Sequence, residues 1–461
     1  MNFSPYINNS SWATPSALEW LENFFAERWG GVWHITRHDL NVLALRPAEV
    51  GDLPMIFNGG IFHSGTSDLA CGTWRINDPW RGAIFDVLPT PGLANPSIIL
   101  FKKQTVGVSV DYNILGLIFW ALTRSEEINS TSLDQFGRFC SEDSHAKKHD
   151  YLQRPLIDEW LYILAQVAEM LWPGVLRKVS NPAIALSHDV DLPARYSFAN
   201  YSKLFRRIAG DILVRHEFSN ALKAPFVRLS SSQRISPLDP HNQFDWMMDI
   251  AESVGTRAAF YFICGRTNAD FDGDYEIEHP AMRELVCRIH ERGHEVGLHP
   301  SFETYRDPLA LAIEAGRLRR VCLEEEVRQD WFGGRMHYLR WKNPDTLRAC
   351  VAANLKYDAT LGYADAPGFR CGTCIEYQAF DPVADKSLPL RLRPLVAMEA
   401  SVIEPNNLGL GTGSKAFDLF ELLRRRCELV SGTFSLLWHN SSLTLSAQRL
   451  LYKRIVTGLD T

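Results

Sequence analysis

The sequence is short of everything that would gather a polyanion or anchor a chain in a bilayer. Lysine and arginine total 48 against 54 aspartate and glutamate, a net charge of −6, so no basic field concentrates nucleic acid and none is expected as a partner. Long apolar runs are missing. The most apolar stretch, residues 114–122, has nine residues, where a bilayer-spanning helix needs about 20; it reads as a buried helix, with no membrane span. Cysteine is sparse and odd in number, nine from Cys71 to Cys427. That is no disulfide framework: the thiols read as reduced, small apolar side chains, and the expected location is cytoplasmic. Residues 1–31 lack both the basic start and the continuous apolar core of a secretory signal.

What is present is globular. Apolar residues make up 46 % and charged residues 22 % of 461 positions, more chain than one ordinary domain of roughly 100–200 residues uses, so two units are expected. Residues 1–178 carry short apolar stretches broken by Gly and Pro, then helical periodicity over 113–123 and 156–171; they predict a smaller α+β domain. The breakers Trp172-Pro173-Gly174 and Ser180-Asn181-Pro182 mark the change, and residues 179–461 turn to a strand, loop, helix rhythm. Strands are expected at 183–186, 258–263, 295–298, 331–339, 390–398 and 433–438, and helices at 241–253, 282–292, 308–325, 345–354, 418–429 and 446–456. This alternation predicts an α/β architecture with a parallel sheet, doubly wound or closed into a barrel, whose strand carboxyl ends carry the site. Residues 192–256 read as an insertion with a helix at 201–213 and a loop at Ser230-Ser231-Ser232.

Four polar clusters mark the expected strand ends. Ser187-His188-Asp189-Val190-Asp191 comes first. Residues two apart on an extended chain face one side, which aims Asp189 and Asp191 into one space where a metal or a proton must separate them; by itself the pair also reads as a cap or turn. In Gly293-His294-Glu295-Val296-Gly297-Leu298-His299-Pro300-Ser301, His299 stands at a polar strand exit, where a neutral imidazole suits a first-row metal or a structural hydrogen bond. His294, at the other strand end, is expected to be structural. Gly334-Arg335-Met336-His337-Tyr338 sets Arg335 and His337 on one strand face, and Leu436-Leu437-Trp438-His439-Asn440 ends an apolar run in His439. Two carboxylates and three imidazoles at one end of successive strands point to a metal-dependent hydrolase.

The order of these clusters resembles the polysaccharide deacetylase family (carbohydrate esterase family 4), from about residue 183 to the C-terminus. The resemblance implies a distorted or incomplete (β/α) barrel that removes N- or O-acetyl groups from sugars with zinc or a similar divalent ion. It implies Asp189 as general base, Asp191 and His299 as metal ligands, and His439 of Leu437-Trp438-His439 as general acid. One departure stands out: the family's second histidine, four residues past His299, is Glu303 here. Either Glu303 ligates, or His337 does from the family's Arg-containing motif, with Arg335 as its basic residue; His337 is the expected third ligand. His337-Tyr338-Leu339-Arg340 and Gly368-Phe369-Arg370-Cys371-Gly372-Thr373 further resemble a subgroup found with bacterial surface-polysaccharide biosynthesis, whose members carry an extra N-terminal domain. There Arg370 lines the site, where a guanidinium holds a sugar carboxylate or nucleotide phosphate; an ion pair to Asp358 or Asp365 is the alternative. Arg335 and Arg370 are thus the expected substrate-binding residues.

The expected reaction is hydrolysis of an acetamide on a sugar or polysaccharide precursor. Two rivals remain open at this point: a catalytically inactive carbohydrate-binding protein on the same fold, and an amidase acting on a small cyclic or formylated amide. Cys371-Gly372-Thr373-Cys374 lacks a second cysteine pair and the strand-to-helix setting of a redox motif, and reads as coincidental spacing.

Overall fold

The computed structural model describes residues 12–458 except 40–41, 50–52, 59–66, 98–99, 105–106 and 179. Residues 1–11 of the N-terminal stretch and residue 179 at the expected boundary lie outside the described residues. The N-terminal part opens with helix α1 (Pro15–Trp29), capped by the Thr14 hydroxyl accepting from Ala17 N–H, with Pro15 in its first turn. Strands β1 (Trp33–Asp39), β2 (Val42–Pro47), β3 (Met55–Asn58), β4 (Cys71–Arg75), β5 (Val87–Pro91), β6 (Phe101–Gln104) and β7 (Gly107–Val110) follow. They form a sheet in the order β1-β2-β3-β7-β6 and a separate β4-β5 pair. The nine-residue apolar run becomes α2 (Ile114–Leu122), buried along its whole length; α3 (His145–Lys148) and the amphipathic α4 (Leu156–Leu171) complete this part.

The C-terminal part is a mixed α/β fold on a parallel sheet. Its elements are β8 (Ala183–Val190), α5 (Tyr201–Leu213), α6 (Phe218–Ser230), α7 (Phe244–Ser253), β9 (Ala258–Phe262), α8 (Pro280–Glu291), β10 (Glu295–Leu298), α9 (Pro308–Glu324) and α10 (Asp345–Ala352). Then come β11 (Tyr357–Asp358), β12 (Tyr377–Asp381), β13 (Lys386–Leu392), β14 (Ala397–Met398), α11 (Glu399–Ile403), α12 (Ser414–Leu429), β15 (Thr433–Leu437) and α13 (Ser446–Thr457). Parallel pairings run β10-β9-β8-β15-β14. Gly334 bridges Leu298 of β10 to Asp358 of β11, and β11 pairs in parallel with β13.

The expected strand at 390–398 is divided between β13 and β14, and three other expected elements differ. First, β8 runs through Val190, so Asp189 belongs to the strand. Second, residues 331–339 form no strand. Gly334 meets its neighbours only as a bridge; a Cβ there would sit 2.4 Å from the Leu298 carbonyl oxygen, and one on Gly333 would sit 2.1 Å from the Tyr357 ring. Past this squeeze Tyr338 and Leu339 take φ of 62° and 55°, so the chain turns instead of extending. Third, Ser230 ends helix α6 rather than sitting in a loop, and the insertion has two helices.

One continuous apolar core crosses both parts, from Ala13 to Val456. Trp20 of α1 donates its indole N–H to the Gln378 carbonyl at 2.9 Å and packs on Phe380 with centroids 5.5 Å apart. No helix among the described residues is long and apolar enough to cross a membrane.

Candidate metal and catalytic centre

The end of β8 supplies the two carboxylates. Val190 between them is fully buried, so Asp189 and Asp191 emerge toward the same cleft. Asp189 Oδ1 accepts from Arg335 Nη1 at 2.8 Å. The same guanidinium donates through Nη2 to Ser187 Oγ and through Nε to the Ala359 carbonyl, each at 2.9 Å. Arg335 is only 2 % exposed, and all three of its nitrogens are engaged in the interior. Expected at the substrate, Arg335 instead has its contacts on Asp189, Ser187 and Ala359 and is not among the residues that line the cleft.

His299 follows β10. Its Nδ1 lies 2.5 Å from the Arg335 carbonyl oxygen, and because a carbonyl only accepts, Nδ1 donates there and Nε2 is left to face the carboxylates. That Nε2 faces Asp191 Oδ1 at 3.1 Å and Asp189 Oδ2 at 3.7 Å. His337 is brought round by the turn at Tyr338; its Nδ1 lies 3.0 Å from Asp272 Oδ1 and its Nε2 3.6 Å from Asp191 Oδ1. The ligating atoms of Asp191, His299 and His337 all lie within 4.8 Å of one another. His299 Nε2 and Asp191 Oδ1 are buried and lack a hydrogen-bond partner. An imidazole nitrogen and a carboxylate oxygen this close in a buried site need a proton or a metal ion between them, and the donor set, two imidazoles and a carboxylate, suits zinc or a similar ion. Each imidazole is also fixed through its far nitrogen by a carbonyl or a carboxylate, as metal-binding histidines are.

The imidazoles and carboxylates of the cluster also shift one another's protonation. Burial works to raise the Asp191 carboxyl, but the facing imidazoles outweigh it and hold the group well below its usual range. Burial lowers the His337 imidazole, and Asp191 with Asp272 more than reverses this, bringing it up to about 9.

His439 stands two residues past β15. Its backbone N–H and its Nδ1 both meet Glu399 Oε1, at 3.1 and 2.6 Å, and its Nε2 lies 3.6 Å from Asp191 Oδ2. Burial alone lowers this imidazole; the Glu399 carboxylate raises it to about 10, so it is a proton donor at neutral pH.

Asp189, Asp191, His299, His337 and His439 thus line one cleft of about 670 Å³. Two expected participants are elsewhere. Glu303 is exposed and pairs with Arg340 Nη1 at 3.0 Å, so it does not compete with His337. Arg370 is 3 % exposed and absent from the cleft lining. Its Nε and Nη2 grip Glu127 at 2.9 and 2.7 Å, and its Nη1 donates to the Gly362 carbonyl at 2.8 Å. Arg370 is therefore a structural tie between the two parts, with Glu127 in place of the expected Asp358 or Asp365. Cys371 and Cys374 are buried free thiols. His294 accepts from Ala258 N–H at 3.1 Å, at the opposite strand end. Sequence reasoning missed Asp272 and Glu399, which sit in unremarkable acidic positions and bear on the cleft through the histidines they meet.

A family model described as a family of unknown function (DUF7033) matches residues 45–173. No curated protein matches the chain. Among solved structures, the chain is similar to a Mycobacterium smegmatis protein assigned as a polysaccharide deacetylase, at 17 % identity over 62 % of this chain and 85 % of that one, with a TM-score of 0.39. It is similar to Puue allantoinase at 10 % identity over 62 % and 85 %, TM-score 0.36. A Pseudomonas aeruginosa PAO1 protein assigned as a polysaccharide deacetylase matches at 11 % identity over 60 % and 85 %, TM-score 0.35. Likenesses this distant leave the functional reading to the geometry of the site.

Proposed function

We propose that the chain is a metal-dependent hydrolase that removes an N-acetyl or related acyl group from a sugar of a surface polysaccharide or its precursor. On this reading residues 179–461 form an incomplete (β/α) barrel, in which the stretch from β13 to β14 joins the β11 side of the sheet to β15, behind an N-terminal domain of residues 1–178. One observation carries the proposal: Asp191 Oδ1 and His299 Nε2, both buried and lacking a hydrogen-bond partner, face each other at 3.1 Å, with His337 beside them.

Asp191, His299 and His337 would hold the ion, zinc in the first instance, which supplies a Lewis acid that acidifies water and polarises an acyl carbonyl. Asp189 takes the proton of the attacking water through Oδ2, since Oδ1 is tied to Arg335. His439, kept protonated by Glu399, gives its proton to the departing amine, a poor leaving group without it. The buried partners that orient both groups favour a catalyst over a protein that only binds sugar. Elemental analysis of the purified protein together with acetate release from a panel of N-acetylated sugars tests the proposal. Near-stoichiometric zinc and acetate release are expected; a protein that takes up no divalent metal and releases no acetate refutes it.

A further inference from the structure

The insertion between β8 and α7 carries apolar side chains that no part of the protein covers. In α5, Tyr201, Phe205 and Ile212 recur at helical spacing, and in α6 Phe218, Leu222, Phe226 and Leu229 do the same, so each helix presents one apolar stripe. Leu213 and Val214, where α5 ends, add to them. Ile212 is 38 % exposed and the others 57–83 %. The inner sides of the two helices pack on each other: Leu204, Ala224 and Val227 join Tyr196 and Ala199 in a small core separate from the main one. Single exposed apolar side chains are ordinary, but nine within one helical hairpin mark an interaction surface.

The charge of this hairpin departs from that of the chain. Residues 201–230 hold six basic and two acidic side chains in a protein whose net charge is −6, so the whole-chain figure conceals a local positive excess. Both carboxylates are occupied. Asp211 is buried and pairs with Arg195 and Arg215, and Glu217 accepts from Asn220 Nδ2 at 2.9 Å. Lys203 and Arg207 pair with Asp274. Arg206, Lys223 and Arg228 have no acidic partner among the described residues, and Arg206 and Lys223 are exposed. The insertion is rooted beside the site: Asn440, next to His439, donates to the carbonyls of Leu192 and His241 near its two ends, at 3.0 and 2.8 Å.

We propose that the α5–α6 hairpin is a docking surface for an anionic lipid bilayer, lying in the interface with its aromatic and leucine side chains toward the acyl chains and Arg206 and Lys223 at the phosphates. Apolar stripes flanked by unneutralised cations suit such an interface, because burial of the first and attraction of the second act together. The rest of the chain is acidic on balance and is repelled by the same surface, which leaves the hairpin as the contact. A second copy of this chain is a poorer occupant: pairing through these faces about a two-fold axis would set the same cations against each other. With 13 residues each, the helices lie on the bilayer and do not cross it. Docking is read by binding alone and stands apart from the hydrolase activity.

The test is sedimentation of the full-length protein with vesicles of phosphatidylcholine, alone or with about one-third phosphatidylglycerol, in the absence of any sugar. Partition should be about tenfold or more stronger on the anionic vesicles and should weaken as salt rises to about 0.5 M. Arg206→Gln and Lys223→Gln should each weaken it about fivefold, the equivalent of about 1 kcal/mol per basic residue. A double variant, Leu222→Ser with Leu229→Ser, should weaken it about tenfold or more. Both leucines are 83 % exposed, so the variant should melt with the wild type, and calorimetry checks that it is folded. Light scattering without vesicles follows the rival occupant. Absence of partition on anionic vesicles, equal partition on both compositions, or a folded double variant that partitions like the wild type overturns the inference. So does a wild-type dimer that the double variant splits.

Discussion

The Glu127 cluster gives a prediction whose size follows from the structure. Glu127 bridges two arginines: Oε1 accepts from Arg124 Nε at 2.8 Å, and both oxygens accept from Arg370. Arg124 also holds Glu126 at 2.6 Å. All four side chains are buried, 2–3 % exposed, and together they are neutral. Burial pushes the Glu127 carboxyl up, but the two guanidiniums win and hold it below its usual range. Glu127→Gln leaves a net positive charge inside the protein, and Arg370→Met leaves a net negative one. Removing one partner of a buried pair costs about 3–5 kcal/mol. With an unfolding entropy of roughly 2.1 cal/mol/K per residue over 461 residues, about 1 kcal/mol corresponds to 1 °C, so each single variant should lower Tm by about 3–5 °C. The double variant restores neutrality around the Arg124–Glu126 pair and should lose far less than the two losses summed. Calorimetric melting of the wild type, both single variants and the double variant closes the cycle. Additive losses, or single variants that melt with the wild type, refute the reasoning. Loss of sugar binding by folded Arg370→Met would return that arginine to the substrate.

The other predictions concern the centre and its surroundings. Asp189→Asn should keep its metal by elemental analysis and lose about 10²–10⁴ in kcat; turnover retained in the metal-loaded variant removes Asp189 as the base. His337→Ala should lower metal content sharply while Glu303→Ala leaves it intact, since Glu303 points to Arg340; the opposite result transfers the ligand role. Glu399→Gln removes the carboxylate that lifts His439 to about 10, so the basic limb of kcat/KM should move to lower pH, and a limb that stays in place excludes His439 as the acid. Burial also holds His145 at about 4 and His188 and His241 at about 3. Below pH 6.5 the unfolded chain takes up protons that these native imidazoles refuse, so stability falls with pH by about 1.4 kcal/mol per unit for each histidine until the folded value is reached. Urea unfolding that gives a flat stability between pH 7 and pH 5 contradicts this.

The groups that meet in the cleft were legible because each ends an apolar run with a polar residue, and that pattern places a side chain at a strand's carboxyl end whatever the helices around it do. Asp189, Asp191, His299 and His439 are all of this kind. Residues 331–339 look like another such run, yet Gly333 and Gly334 are there to pass between β10 and the Tyr357 ring, and no local pattern separates a glycine needed for close approach from one in a loop. His337 nevertheless reaches the cleft, because the turn that replaces the strand delivers it. The carboxylates behind the histidines were hidden for a different reason. Asp272 and Glu399 act through partners 65 and 40 positions away, a separation that leaves no mark on either segment. Arg370 is the extreme case, its role decided by a carboxylate 243 positions earlier. The Arg370 guanidinium takes the nearest anion, and the N-terminal part supplies it through Glu127, away from the cleft lining. The same part places Arg138 against Tyr338 and Phe136 in the cleft wall, so its contribution to the cleft is shape.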